Sequence, residues 1–174
     1  MAAGPIYPIS SIPDTSGRVV PNTHSNGVRY LHGMGVEASL GADAKWHLVF
    51  PSPWPQPTGT LTLHLIHTAT ATANDVQVNV QWYPAGRDEN WDQTVGGGTM
   101  ADEGTFSHTY VTQDSDSINL MRVYLDDSTY LGLYQNSQSE RYIFIDVVFK
   151  TSGWTMAAVT TWIAYLVWEE GTPD

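Results

Sequence analysis

Between Asp75 and Trp82 apolar and polar residues alternate without a break: Val76, Val78, Val80 and Trp82 are interleaved with Gln77, Asn79 and Gln81. Alternation of period two puts every second side chain on the same face of an extended chain, so this segment predicts a strand with one buried face. The same reading predicts strands over Val28–His32, Lys45–Phe50, Thr60–His67, Thr105–Thr112, Ile118–Leu125, Tyr130–Tyr134, Tyr142–Phe149 and Val159–Trp168. In Thr60–His67, Leu61, Leu63 and Leu65 share one face, opposite Thr60, Thr62 and His64. Tyr142–Phe149 differs in being apolar almost throughout: Ile143, Ile145, Val147 and Phe149 lie on one side, and Tyr142, Phe144, Asp146 and Val148 on the other. A strand apolar on both faces needs cover on both, and Asp146 on the second face then needs a polar partner. No stretch of helical length shows a helical period. The best candidate, Thr155–Ala164, is rich in β-branched residues and runs into Tyr165–Trp168, which favours strand.

The first part of the chain reads differently. Residues 1–27 carry Pro5, Pro8, Pro13 and Pro21, turn residues at Asp14–Gly17 and Pro21–Gly27, and no sustained apolar period. Proline removes a backbone donor and disfavours helix at the residue before it. This predicts an extended N-terminal arm over 1–27, whose apolar residues Ile6, Tyr7, Ile12, Val19 and Val20 dock on a partner surface. Eight or nine short strands separated by turn residues predict an all-β fold for 28–174: an antiparallel β-sandwich, with a jelly roll the expected form. Gly33 and Gly35 are read as a turn after the first of these strands, and Pro51–Gly59 and Pro84–Gly104 as the two long loops.

Composition narrows the partners. The 174 residues contain 18 Asp and Glu against 7 Lys and Arg, a formal net charge of -11, and no cysteine. The seven cations are scattered singly, so neither a nucleic acid nor an anionic membrane is an expected partner. Without cysteine there are no disulfides, thiol nucleophiles or Cys-ligated zinc. The N-terminus has neither the cationic nor the apolar region of a signal peptide, and no stretch approaches the roughly 20 apolar residues of a membrane-spanning helix.

Candidate chemistry is sparse. His64 and His67 fall on opposite faces of a strand and cannot jointly chelate, and there is no His-Glu-x-x-His. Asp114, Asp116, Asp126 and Asp127, with Asp88, Glu89 and Asp92, offer oxygens of the kind calcium takes, yet turn chemistry accounts for Asp114–Ser117 fully. No metal or cofactor is therefore assigned. There is no Gly-x-Ser-x-Gly elbow and no phosphate-binding glycine loop, since Gly96–Gly98 lacks the following Lys and helix. The chain is expected not to be an enzyme. Loop tryptophans remain. Trp54 is read as folding back over the sandwich end. Trp91, with Asp88 and Asp92 beside it, stands either as another cap or as a sugar-stacking platform with polar groups placed around it.

In its layout of extended proline-containing arm, acidic cysteine-free β domain and polar surface, the chain resembles the jelly-roll decoration or cement proteins on capsids of tailed bacteriophages. That resemblance implies a homo-oligomer, a trimer above all, on a virion surface, with arms reinforcing a shell of major capsid protein. The alternative is a carbohydrate-binding or receptor-binding β-sandwich module, such as a phage tail-fibre domain, that uses the 84–104 loop.

Overall fold

The alternation read along the chain becomes ten strands in the computed structural model, which describes residues 5–13, 19–25, 30–36, 44–52, 59–68, 75–86, 100–109, 118–126, 141–149 and 160–169. The strands are β1 (Ser10–Pro13), β2 (Val19–Ser25), β3 (Tyr30–Val36), β4 (Ala44–Pro51), β5 (Thr60–Thr68), β6 (Asp75–Gly86), β7 (Ala101–Thr109), β8 (Asn119–Leu125), β9 (Arg141–Phe149) and β10 (Thr160–Glu169). They form two five-stranded antiparallel sheets, β1-β4-β9-β6-β7 and β2-β3-β10-β5-β8. Strands β3 to β10 follow the order of a jelly roll, changing sheet at every connection except β6 to β7, so the expected antiparallel sandwich is the observed fold.

Alternation decides which side chains fill the gap between the sheets. Along β4 exposure alternates strictly, with Ala44, Trp46, Leu48 and Phe50 buried. From β9 come Ile143, Ile145, Val147 and Phe149, and from β6 Val78, Val80 and Trp82. The facing sheet supplies Leu61, Leu63 and Leu65 of β5, Val123 and Leu125 of β8, and Trp162, Leu166 and Trp168 of β10. Each such side chain contributes roughly 1.5–3 kcal/mol on burial. Phe149 and Trp162 meet across the gap with ring centroids 5.1 Å apart, and His67 stacks on Trp162 at 4.6 Å. The two histidines of β5 thus go to opposite faces as expected, His67 inward and His64 outward.

The described residues of the segment read as an arm are extended, and they form backbone ladders within the chain. Ile6 exchanges two backbone hydrogen bonds with Leu166 of β10, β1 pairs with β4, and β2 pairs with β3. One outer strand is thereby added to each sheet. Of the apolar residues in this segment, Val19 is buried in the core and Ile6 packs against it, whereas Tyr7 and Ile12 remain exposed. Val20 pairs through its backbone with Gly35. The prolines hid these strands because each removes a ladder donor, and an edge strand tolerates that loss.

Two further differences have local causes. The strand expected at Val28–His32 runs instead from Tyr30 to Val36, through the glycines read as a turn. Gly33 is required there by space: a Cβ on it would lie 2.2 Å from the Trp162 carbonyl oxygen. The strand expected at Thr105–Thr112 begins earlier, at Ala101, through a bulge in its pairing with β6, and residues 110–112 lie outside the described residues. The strand expected at Tyr130–Tyr134, residues 155–159 of the helix candidate and Trp54 lie outside the described residues, while Thr160–Ala164 are strand.

Gly33→Ala is expected to destabilise the fold by about 1–3 kcal/mol, the usual cost of overpacking. Urea unfolding checks this, by a lower midpoint at unchanged slope.

Candidate binding face

The outer face of the sheet β1-β4-β9-β6-β7 collects the side chains that the core does not take. Residues directly opposite one another in antiparallel strands share a face. The register therefore lays out a row crossing all five strands, apolar Ile12 at its end and then polar His47, Asp146, Gln81 and Asp102. At about 4.8 Å between strands this row is about 19 Å long. About 7 Å along the strands lies a row of Val49, Phe144 and Tyr83, and beyond it Pro51, Tyr142 and Ala85. A polar track thus runs beside an aromatic one.

Asp146, expected to need a partner on this face, has one. His47 Nδ1 donates to Asp146 Oδ1 at 2.7 Å, a contact that fixes the ring's orientation and tautomer. His47 is 44% exposed and Asp146 17%, so the pair is open to solvent at the histidine end. At the other end the bulge sets the geometry. Asn79 pairs with Thr105 and Gln81 with Asp102, leaving Glu103 and Gly104 opposite Val80. Asp102 Oδ1 accepts from Asn79 Nδ2 at 2.7 Å and from the Gly104 backbone N–H at 2.8 Å, and Asn79 Nδ2 also reaches the Gly104 carbonyl at 3.1 Å. The bulge turns Glu103 inward, where its carboxylate accepts from the indole N–H of buried Trp82. Bulges of this kind re-aim side chains, and here Asp102 is held on the outer face.

The aromatic track is graded in depth. Tyr83 is nearly buried, Phe144 partly, and Tyr142 is 36% exposed. The second face of β9 therefore carries surplus apolar surface, as the doubly apolar sequence requires. Chemically the arrangement offers flat apolar surface for a ring, a carboxylate and an amide row for hydroxyl groups, and a histidine whose neutral ring presents Nε2 as an acceptor. Among the described residues no cluster of three or more His, Asp or Glu side chains could hold a metal ion.

Of the expected ligand loop, Trp91, Asp88 and Asp92 lie outside the described residues, as do Asp114, Asp116 and Asp127, while Asp126 is exposed at the end of β8. His47, Gln81, Tyr83 and Asp102 were not singled out in the sequence. The polar half of the alternation at Asn79 and Gln81 was the available signal, but only the strand order shows that it continues into His47 and Asp146.

No protein-family model matches the chain, and no curated protein matches it. Solved structures do resemble it. A family 11 carbohydrate-binding module from Clostridium thermocellum, in complex with a β-1,3-1,4-mixed-linked tetrasaccharide, is 10% identical with a TM-score of 0.46, over 92% of this chain and 88% of that one. TmCBM61, in complex with β-1,4-galactotriose, is 10% identical with a TM-score of 0.42, over 92% and 88%. TmCBM27, a carbohydrate-binding module described for specific mannan recognition, is 8% identical with a TM-score of 0.45, over 98% of both chains. At these scores the likenesses carry no argument about the ligand of this chain.

They do correct the expectation of a capsid decoration or cement protein. The similar structures are carbohydrate-binding modules, with no capsid protein among them. The expected homotrimer on a major capsid protein loses its basis with that resemblance, which rested on layout and composition alone. The physical reason lies in the arm: it was expected to grip neighbouring subunits, and its strands are hydrogen-bonded to the chain's own sheets.

Gly104 has a φ of +88°, yet a Cβ there would meet nothing within 4 Å. Gly104→Ala is therefore expected to cost about 1–2 kcal/mol through backbone conformation alone, and Gly104→Asn less. Thermal unfolding of the two variants checks the order.

Proposed function

We propose that the chain is a carbohydrate-binding β-sandwich module that holds an extended, uncharged glycan across the outer face of the sheet β1-β4-β9-β6-β7. The observation that carries this reading is the polar row His47–Asp146–Gln81–Asp102 lying beside the aromatic track of Phe144, Tyr83 and Tyr142. A sugar ring has an apolar face and a rim of hydroxyls. The two tracks match that division, one with rings and the other with acceptors and amide donors. Two carboxylates in the row, in a protein of net charge -11, disfavour an anionic polymer here. Strand β6 ends at Gly86, opposite Arg141 and one position past Tyr142, at the aromatic end of the face.

The test is titration calorimetry against soluble neutral oligosaccharides, including mixed-linked glucan, galactan and mannan fragments. The native chain is expected to bind at least one of them. Asp146→Ala and Tyr142→Ala are each expected to weaken that binding about tenfold or more, about 1.4 kcal/mol, with the unfolding midpoint of Tyr142→Ala little changed. Failure to bind any member, or binding indifferent to both substitutions, contradicts the reading.

A further inference from the structure

We propose that the opposite outer face, on the sheet β2-β3-β10-β5-β8, carries a second binding site, for an acidic sugar of the uronate class, built on Tyr7, Tyr165, His64 and Arg122. The register draws these residues into one line. His64 lies directly opposite Tyr165 of β10 on one side and Arg122 of β8 on the other. The bridge from Ile6 to Leu166 sets Tyr7 beside Tyr165, with ring centroids 6.3 Å apart. The His64 ring is 4.9 Å from that of Tyr165, and its Nδ1 is 3.1 Å from the tyrosine hydroxyl. The ends of the line are open, with Tyr7 and Arg122 exposed, and the middle is firm, with His64 buried.

Arg122 supplies the charge argument. Its guanidinium makes no ion pair or hydrogen bond among the described residues. In a chain with 18 acidic residues against 7 Lys and Arg, an exposed arginine with no carboxylate partner among the described residues is a place for an external anion. The planar guanidinium fork matches a carboxylate through two parallel hydrogen bonds, which an ammonium cannot reproduce. Two adjacent tyrosines offer ring faces and hydroxyls at the spacing of neighbouring strands, the combination that holds a sugar ring and its rim.

The two faces thus differ in chemistry: the first presents a row of carboxylates and amides, and the second an exposed arginine with no ion pair among the described residues. This inference shares with the proposed function only the premise that the ligand is a sugar; its residues are separate. Calorimetric titration with oligogalacturonate and oligoglucuronate, set beside their methyl esters and inorganic phosphate, tests it. The native chain is expected to bind an oligouronate with an affinity that falls as salt rises, and its ester not at all. Arg122→Gln and Tyr7→Ala are each expected to weaken that binding about tenfold or more, whereas Tyr142→Ala on the first face leaves it unchanged. No oligouronate binding, binding unaffected by Arg122→Gln, or loss on Tyr142→Ala would each overturn the second site. Equal competition by inorganic phosphate would overturn its assignment to a sugar. Uronate binding without neutral-glycan binding would support this face and sink the first.

Discussion

Phe149 and Trp162 touch across the gap between the sheets, one on β9 and the other on β10, and each belongs to a strand paired on both sides. That contact fixes which parity of the two strands faces inward. Once Phe149 points into the gap, so must Val147, Ile145 and Ile143, and Tyr142, Phe144 and Asp146 must point out. Once Trp162 points in, Tyr165 points out. A slip of one residue in β9 would bury Asp146 and expose a run of aliphatic side chains, and one in β10 would expose Trp162 and Trp168. Register passes from these strands to their neighbours through the ladders, so both outer faces follow from the packing of the centre.

Stability and recognition are therefore written on the same strands. The inner parity of β9 supplies the core, and its outer parity supplies an aromatic pair and a carboxylate anchored by His47. The inner parity of β5 supplies three leucines, and its outer parity supplies His64 and Thr62. A rigid sheet is a good support for a binding face because its side chains are positioned by backbone pairing rather than by mobile loops. The N-terminal segment adds to both faces in turn. Ile6 and Tyr7 lie along β10, after which the chain passes to β4, where Ile12 joins the polar row. What looked like an arm for a partner is part of the walls of the chain's own sandwich.

Much of the sandwich was legible because burial on one face imposes period two, and Lys45–Phe50, Thr60–His67 and Tyr142–Phe149 nearly coincide with observed strands. The need of Asp146 for a partner was legible too, since a carboxylate on an otherwise apolar face is costly alone. Three features were not. The edge strands β1 and β2 were hidden by proline, which reads as irregular wherever a ladder is expected on both sides. Gly33 read as a turn residue although it serves a close approach to Trp162. The bulge at Glu103 and Gly104 lies just before the strand read at Thr105–Thr112, and no local pattern announced it. The candidate face itself was illegible as a set. Residues 47, 81, 102 and 146 become neighbours only through the jelly-roll strand order, which no local pattern encodes.

The central claim is that the outer face of β4, β9 and β6 is where a neutral glycan lies. Backbone amide shifts, followed by NMR while a neutral oligosaccharide is added to saturation, report its position directly. The account predicts that perturbed amides cluster at His47, Gln81, Tyr83, Phe144 and Asp146 and their strand neighbours, with β5 and β8 silent. Perturbations centred on β5 and β8, or confined to loop segments with these strands unmoved, would contradict it.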